Sequence, residues 1–216
     1  MTTATDAAGF VLAGGRSGRM GTEKALVQFA GEPLVTHALR TLRAAGLSAS
    51  IAGARSALEQ FAPVVPDNQP DRGPLGGICS ALASTQARWS LFLPVDLPLL
   101  PSSVAAFLLE SARAESSVVT VAALNGFTQT FPAVIDRAAL PWLASALAGG
   151  KGGCFGAFQA AAAGLHQTVN VVDVEDAART GKLAHPLALP TDCWFLNVNA
   201  PADFGRAEAC RAGSSS

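Results

Sequence analysis

The sequence predicts an α/β protein, a three-layer α/β/α sandwich around a mostly parallel, Rossmann-like sheet. Three observations lead there. Short apolar runs alternate with segments whose apolar residues recur at helical spacing, the pattern of strand–helix crossovers. The first apolar run opens directly into a glycine-rich loop. Two later runs end on an aspartate, Asp67 and Asp96, at the carboxyl ends where open parallel sheets gather their ligands. A chain of 216 residues suffices for one such domain. The expectation is a single unit over 1–216, with an ordered core from about 8 to 208 and a disordered tail at 211–216.

The elements follow in order. Ala8-Gly9-Phe10-Val11 reads as a buried parallel strand. Leu12 and Ala13 lead from it into Gly14, Gly15, Gly18 and Gly21, four glycines within eight residues. A loop of that composition can turn several backbone amides toward one anion. Arg16, Arg19 and Lys24 add cationic side chains, so polyphosphate is the expected ligand. The loop lacks the Gly-Lys-Ser/Thr ending of a Walker loop and the Gly-x-Gly-x-x-Gly of a dinucleotide fold. Pro33 then starts a helix in which Leu34, Ala38, Leu42 and Ala45 recur on one face, and Gly46 ends it.

Ser48–Ala52 is a weak second strand and Ala62–Pro66 a third, with Asp67 at its end. A carboxylate there suits the donors of a base or ribose better than a phosphate; the other reading is an aspartate opening the turn at Asn68-Gln69-Pro70. Pro74 begins a helix to about Ser84, entered through Gly73 and carrying Gly76 and Gly77, which let the helix start approach a flat base or the opposing loop. Trp89–Val95 is the clearest central strand. Asp96 follows it between Pro94 and Pro98, and a single carboxylate there suits a Mg²⁺ bound to nucleotide phosphates. The other reading makes Asp96 a cap for the helix over Pro101–Ala114, a role for which Ser102 and Ser103 are better placed. Ser117–Ala123 and Gln129–Ile135 are strands flanking Asn125-Gly126, Ala138–Leu147 is a helix, and Thr168–Val172 is a strand. Trp194–Val198 is read as the last extended piece. Asn197 and Asn199, spaced by two, would share one face before a helix begun at Pro201; the other reading makes them turn formers before Ala200-Pro201.

Composition narrows the function. Charged residues are 14% of the chain and the formal net charge is −1, so nothing draws the whole molecule to nucleic acid or anionic lipid. The uncharged stretch Ser116–Ile135 carries Ser, Thr, Asn, Gln and Pro, which favours two strands over a membrane span. Met1–Ala8 shows neither the basic start nor the apolar core of a signal peptide, and the expected location is the cytoplasm. Cys79, Cys154, Cys193 and Cys210 are widely spaced, with no Cys-x-x-Cys, and are read as reduced thiols. His37, His166 and His185 have no ligand or dyad spacing and are assigned structural or surface roles.

The span Leu12–Lys24, Leu-Ala-Gly-Gly-x-Ser-x-Arg-Met-Gly-x-x-Lys, resembles the signature of nucleotidyltransferases, in particular the molybdenum cofactor guanylyltransferases. The resemblance recurs at Val65-Pro66-Asp67, Gly73-Pro74-Leu75-Gly76-Gly77, Leu93-Pro94-Val95-Asp96-Leu97-Pro98 and Asn197-Val198-Asn199-Ala200-Pro201. It implies GMP transfer from GTP to the terminal phosphate of molybdenum-bound molybdopterin, with Mg²⁺ as cofactor. Arg19, Lys24 and Asp96 would be catalytic, and Asp96 would hold the metal. Leu12, Ala13, Gly14, Gly15, Lys24, Asp67, Asp96, Asn197 and Asn199 would bind the substrates. Transient contact with molybdopterin-loading proteins and with molybdoenzymes is also implied. Cytidylyl transfer to the same cofactor, another small-molecule nucleotidyl transfer and a non-catalytic carrier are the alternatives. Two stretches depart from the family: Ala52-Gly53-Ala54, where relatives carry asparagines, and Lys151-Gly152-Gly153, where many have an arginine pair.

Overall fold

Six successive buried residues make β1 (Ala7–Leu12), and a strand buried on both faces must lie inside a sheet. The computed structural model describes residues 6–13, 23–53, 56–69, 72–150 and 153–213. In it β1 pairs in parallel with β4 (Ser48–Ala52) on one side and β6 (Trp89–Pro94) on the other. β5 (Val64–Val65) extends the sheet beyond β4. β7 (Val119–Leu124), β8 (Phe127–Asp136) and β9 (Asn170–Asp173) complete the order β5-β4-β1-β6-β8-β7-β9. A separate hairpin joins β2 (Gln28–Phe29) to β3 (Glu32–Pro33).

Strand alternation divides the core into two faces. Val11, Leu91, Leu93 and Val134 point to one face, covered by α1 (Leu34–Ala44), α3 (Ser102–Glu115) and α6 (Val174–Arg179). Phe10, Leu12, Phe92, Ala133 and Ile135 point to the other, covered by α2 (Pro74–Ser84), α4 (Leu140–Gly149) and α5 (Cys154–Gly164). Phe10 and Phe92 stack across the β1–β6 pair with centroids 5.5 Å apart. The result is the three-layer, mostly parallel sandwich that the alternating pattern predicts.

β8 is the antiparallel exception, and its cause is local. Asn125 and Gly126 have φ of 51° and 75°, the pair of positive angles that a two-residue hairpin turn requires. β8 therefore runs back between β6 and β7. Its first residues share the sheet edge at which the parallel strands end.

Three features differ from expectation. α5 was not anticipated: Gly153, Gly156 and Gly164 obscure a helix whose buried side, Ala157, Phe158, Ala161 and Ala162, is built mainly of small residues. The Trp194–Val198 stretch forms no strand. Trp194 closes the short helix α7 (Thr191–Trp194), and the chain then runs without sheet pairing into α8 (Pro201–Ala212). The cysteines are not all reduced thiols either. α7 and α8 bring the Cα atoms of Cys193 and Cys210 to 6.2 Å and the two are disulfide-bonded, while Cys79 and Cys154 are free. Among the described residues no helix is long and apolar enough to cross a membrane.

His185 is structural, as its lack of a partner motif suggests. Its Nε2 lies 3.1 Å from the Leu99 carbonyl, and its Nδ1 accepts the Leu187 amide at 3.0 Å. That pair of bonds needs the neutral ring protonated on Nε2. Burial holds its pKa below the ordinary 6.5, with the Leu99 contact opposing the shift. The unfolded chain therefore takes up this proton first. The stabilisation is complete above about pH 6.5 and is lost as the pH falls through the lowered folded value. Thermal melts from about pH 7.5 to about 5.5 are expected to show a decline that His185→Gln flattens. An identical pH slope in wild type and variant would remove His185 from the account.

Candidate active site

The site assembles where the parallel strands end. At the end of β1, the Ala13 amide bonds to the Ala52 carbonyl and the Val95 amide to the Leu12 carbonyl, each at 3.3 Å. These two bonds lock the exits of β4, β1 and β6 together one residue before Asp96. Leu12 and Ala13 turn their side chains into the core, so their backbone is what they can offer a ligand. Gly14, Gly15 and Arg19, with Arg16, Gly18 and Gly21, lie outside the described residues.

Lys24 opens a 3-10 turn, Lys24–Leu26, seated by the fully buried Ala25. The Val27 amide returns to the Lys24 carbonyl at 3.1 Å, and the Leu34 amide at the start of α1 bonds to the Val27 carbonyl at 2.9 Å. So anchored, Lys24 sends its Nζ to Asp96 Oδ2 at 2.9 Å and donates a second, short hydrogen bond to Asn199 Oδ1. The Lys24 and Asp96 side chains are 18% and 22% exposed, sheltered enough for the pair to exceed an ordinary surface ion pair. The other carboxylate oxygen, Asp96 Oδ1, is buried with no hydrogen-bond partner among the described residues. Pro101, not Asp96, occupies the N-cap of α3, so the capping role does not apply.

The segment bearing the asparagines is held from both sides. The Val198 amide bonds to the Asp96 carbonyl at 3.0 Å, and the Val198 side chain is fully buried. Asn197 and Asn199 on either side of it are exposed, and no strand forms. Asn199 reaches Lys24. Asp203, in the first turn of α8, accepts the Asn199 and Ala200 amides at 2.9 Å each. Those two bonds hold the Asp203 carboxyl below the usual carboxylate range, helped by Arg206 and Lys24. Sequence reasoning passed over Asp203. Its signal was an acidic residue three positions after the helix start at Ala200, where it can cap the helix it belongs to.

Asp67 sits at the end of β5 on the same carboxyl edge. Its Oδ1 accepts the Gln69 amide at 2.8 Å, so it does open the turn. Its carboxylate also lies over the first turn of α2. A Cβ on Gly76 would stand 2.9 Å from both Asp67 oxygens and 3.0 Å from the Gln69 carbonyl oxygen, so a neighbour must shift to admit one. The Ser80 hydroxyl accepts the Asn68 amide at 3.1 Å and steadies the same turn. Of the two departures, the first places Gly53 beneath α2, where a Cβ on Gly77 would be 3.6 Å from the Gly53 amide nitrogen. At the second, Lys151 and Gly152 lie outside the described residues. Arg72 nevertheless brings a guanidinium nitrogen within 3.6 Å of where a Gly150 Cβ would be. A cation thus reaches this loop from a different part of the chain.

Nearby thiols are chemically quiet. Burial, the charge of Asp67 and the proximity of Cys154 push the Cys79 thiol up to about 11, and burial raises Cys154 as well. Neither is a thiolate at neutral pH. No cluster of three or more His, Cys, Asp or Glu ligands occurs among the described residues.

Comparison with known proteins identifies the framework. Residues 9–196 match the MobA-like NTP transferase domain. The chain belongs to that family. Among MobA-like relatives, the molybdenum cofactor guanylyltransferase of Vibrio cholerae is 35% identical over 150 residues, covering 68% of this chain and 73% of that one. The Cupriavidus metallidurans protein of the same name is 35% identical over 160 residues, covering 69% and 79%. In three dimensions, the molybdopterin-guanine dinucleotide biosynthesis protein A of Archaeoglobus fulgidus superposes with a TM-score of 0.74 at 20% identity, covering 95% of this chain and 98% of that one. The 2-C-methyl-D-erythritol 4-phosphate cytidylyltransferase of Thermus thermophilus gives 0.64 at 17% identity, covering 93% and 96%. The MobA-like fold is therefore shared by enzymes named for different bases, and membership makes this chain a nucleotidyltransferase.

The Gly76–Asp67 contact yields a stability test. Ala gains about 1 kcal/mol of helix propensity over Gly, but here its methyl meets the carboxylate. Gly76→Ala is expected to destabilise the wild type and to be less costly, or favourable, in an Asp67→Ala background. The coupling should be about 0.5–3 kcal/mol. Equal effects of Gly76→Ala in both backgrounds in urea unfolding would show that Asp67 does not set the requirement.

Proposed function

We propose that this nucleotidyltransferase transfers GMP from GTP to molybdenum-bound molybdopterin, forming the guanine dinucleotide of the cofactor and pyrophosphate, with Mg²⁺ required. Relatives that share about a third of their residues with this chain bear the name molybdenum cofactor guanylyltransferase, which favours guanine and this acceptor. The observation that carries the reading is the Lys24 ammonium, held between Asp96 and Asn199 beside a buried carboxylate oxygen that has no partner among the described residues.

An oxygen of the acceptor's terminal phosphate attacks the α-phosphorus, and the bond from that phosphorus to the bridging oxygen breaks. Pyrophosphate leaves with the electron pair. No protein nucleophile is needed, so the chain contributes position and charge. Lys24, which has three donors, turns at least one from Asp96 or Asn199 to the phosphates and neutralises charge on the leaving group. Asp96 Oδ1 is an oxygen donor of the kind a hard cation takes. Mg²⁺ held there would draw charge from the phosphate oxygens. Asn197 and Asn199, both exposed, lie toward the acceptor. Asp67 is an acceptor suited to the N1 and N2 donors of guanine. Arg19, Gly14 and Gly15 complete the phosphate cradle in this reading, and Arg72 supplies the cation near the loop that lacks the family's arginine pair. Proteins that deliver the pterin or receive the product would dock only transiently.

Lys24→Ala is expected to lower kcat about 10²-fold or more, the scale seen when one preorganised donor is lost. GTP affinity should fall less, because backbone amides still hold the phosphates. Turnover with molybdenum-loaded molybdopterin, run beside direct GTP titration, separates the two; equal losses would reduce Lys24 to a binding group. Nucleotide titrations with Mg²⁺ present should rank GTP above CTP, ATP and UTP. Each guanine donor left unpaired in the site should cost roughly 1–3 kcal/mol. Tighter CTP binding would move the protein to cytidylyl transfer. Asp96→Asn keeps the shape and removes the charge; it should fold normally and recover partially at high Mg²⁺. Wild-type turnover of Asp96→Asn at low Mg²⁺ would remove the carboxylate from metal binding.

A further inference from the structure

Two successive backbone amides, those of Asn199 and Ala200, end on one oxygen, Asp203 Oδ2, at 2.9 Å each. The amide before them, from Val198, bonds to the Asp96 carbonyl at 3.0 Å. The backbone at 198–200 is thus held from both ends, while the Asn199 side chain stands exposed and accepts from Lys24. Asp203 itself rides on a fixed platform. In α8, Ala207 is fully buried, Phe204 and Cys210 pack against the core, Arg211 lies over the Phe29 ring at 5.7 Å, and Cys210 is bonded to Cys193 of α7. The Asp203 carboxyl is held below the usual carboxylate range, first by the two amides and further by Arg206 and Lys24, so it is ionised at neutral pH. Its two backbone bonds are therefore charge-assisted.

The two oxygen partners of Lys24 are not equally easy to give up. Asp96 is charged and its side chain is 22% exposed, so a lost bond would leave a poorly solvated charge. Asn199 is neutral and exposed, and its oxygen can turn to water or to a ligand. Asn199 is therefore the partner that Lys24 releases when its ammonium turns to a phosphate. We propose that Asp203 is a positioning residue that keeps Asn199 at the site through this change of partner. The benefit to the acceptor rests on the proposed guanylyl transfer; the change of partner needs only nucleotide binding. Without Asp203, the Asn199 side chain would depend on the same ammonium that has to leave it. With Asp203, the backbone is fixed by the Asp96 carbonyl on one side and by α8 on the other. The released side chain, with one oxygen acceptor and two N–H donors, then stays where the acceptor arrives. Its ordering is complete before the acceptor binds, which is how preorganisation strengthens binding. Asp203 touches no reacting atom in this arrangement and acts through Asn199.

The test compares the full chain as wild type, as Asp203→Ala, which removes the acceptor of both amides, and as Asp203→Asn, whose carbonyl oxygen can still accept them. Asp203 is partly exposed, and loss of its cap should leave the fold intact. The first readout is residue-resolved amide exchange at Asn199 and Ala200, with and without Mg²⁺ and a saturating nucleoside triphosphate (GTP, or CTP if titration favours it). In the wild type, nucleotide should change these rates by less than about twofold. In Asp203→Ala they should rise about fivefold or more, and rise again with nucleotide as Lys24 leaves Asn199. Asp203→Asn should stay near the wild type. Unchanged exchange in Asp203→Ala, or a rise that nucleotide does not increase, would overturn the proposal. The second readout is turnover with molybdenum-loaded molybdopterin. Asp203→Ala should raise the acceptor KM about fivefold or more, with nucleotide affinity within about twofold, and Asp203→Asn should recover most of the loss. In an Asn199→Ala background, Asp203→Ala should add less than about twofold, since nothing is left to position. Equal factors in both backgrounds would reduce Asp203 to a helix cap and overturn the proposal. An absence of turnover in the wild type, with amide exchange as expected, would overturn the substrate reading and leave the positioning role supported.

Discussion

One ion pair ties together parts of the chain that have little else in common. Lys24 follows the glycine loop, Asp96 ends a central strand, and Asn199 lies near the carboxyl end of the sequence, yet a single ammonium holds both oxygen partners. With about a fifth of each side chain exposed, the pair is partly withdrawn from water. Removing either partner would strand a charge in a place where solvation is poor. The arrangement is also unsaturated. Asp96 accepts on one oxygen, and the other is buried without a partner among the described residues, an expensive condition for a carboxylate with a purely structural role.

The sheet explains why that pair is so well placed. Paired ends of β4, β1 and β6 leave little freedom at Leu12, Ala13 and Val95. Core side chains fill both faces beneath them, so the Asp96 carbonyl is a fixed point from which the Val198 amide hangs. The Lys24–Asp96 pair is thus positioned by buried β structure. The asparagine segment is positioned by the Val198 amide, the Asp203 cap, the Lys24–Asn199 hydrogen bond and the covalent link between α7 and α8.

Much of this was legible in the residues. Uninterrupted apolar runs at β1 and β6 mark strands buried on both faces, and an aspartate between two prolines at the end of such a run has few purely structural uses. Asn125-Gly126 announces a hairpin, from which the antiparallel direction of β8 follows. Other features were hidden for physical reasons. Glycines and alanines give α5 too little contrast between its faces for periodicity to show. The cysteine pairing depends on how α7 and α8 cross, and that crossing is a product of tertiary packing, which a separation of 17 residues does not reveal. Asn197 and Asn199 look equivalent at a spacing of two, and both are exposed on either side of the buried Val198. Only the position of Lys24 distinguishes them.

In the proposed reading, the Asp67 turn combines a structural role with a ligand role. One oxygen closes the turn on the Gln69 amide, which fixes the carboxylate in orientation and leaves its other oxygen without that duty. Gly76 then brings the helix start against it, where a Cβ would force a neighbour to shift. In that reading, the turn residue read from Asn68-Gln69-Pro70 and the acceptor read from the strand end are one device, in which the turn holds the acceptor still.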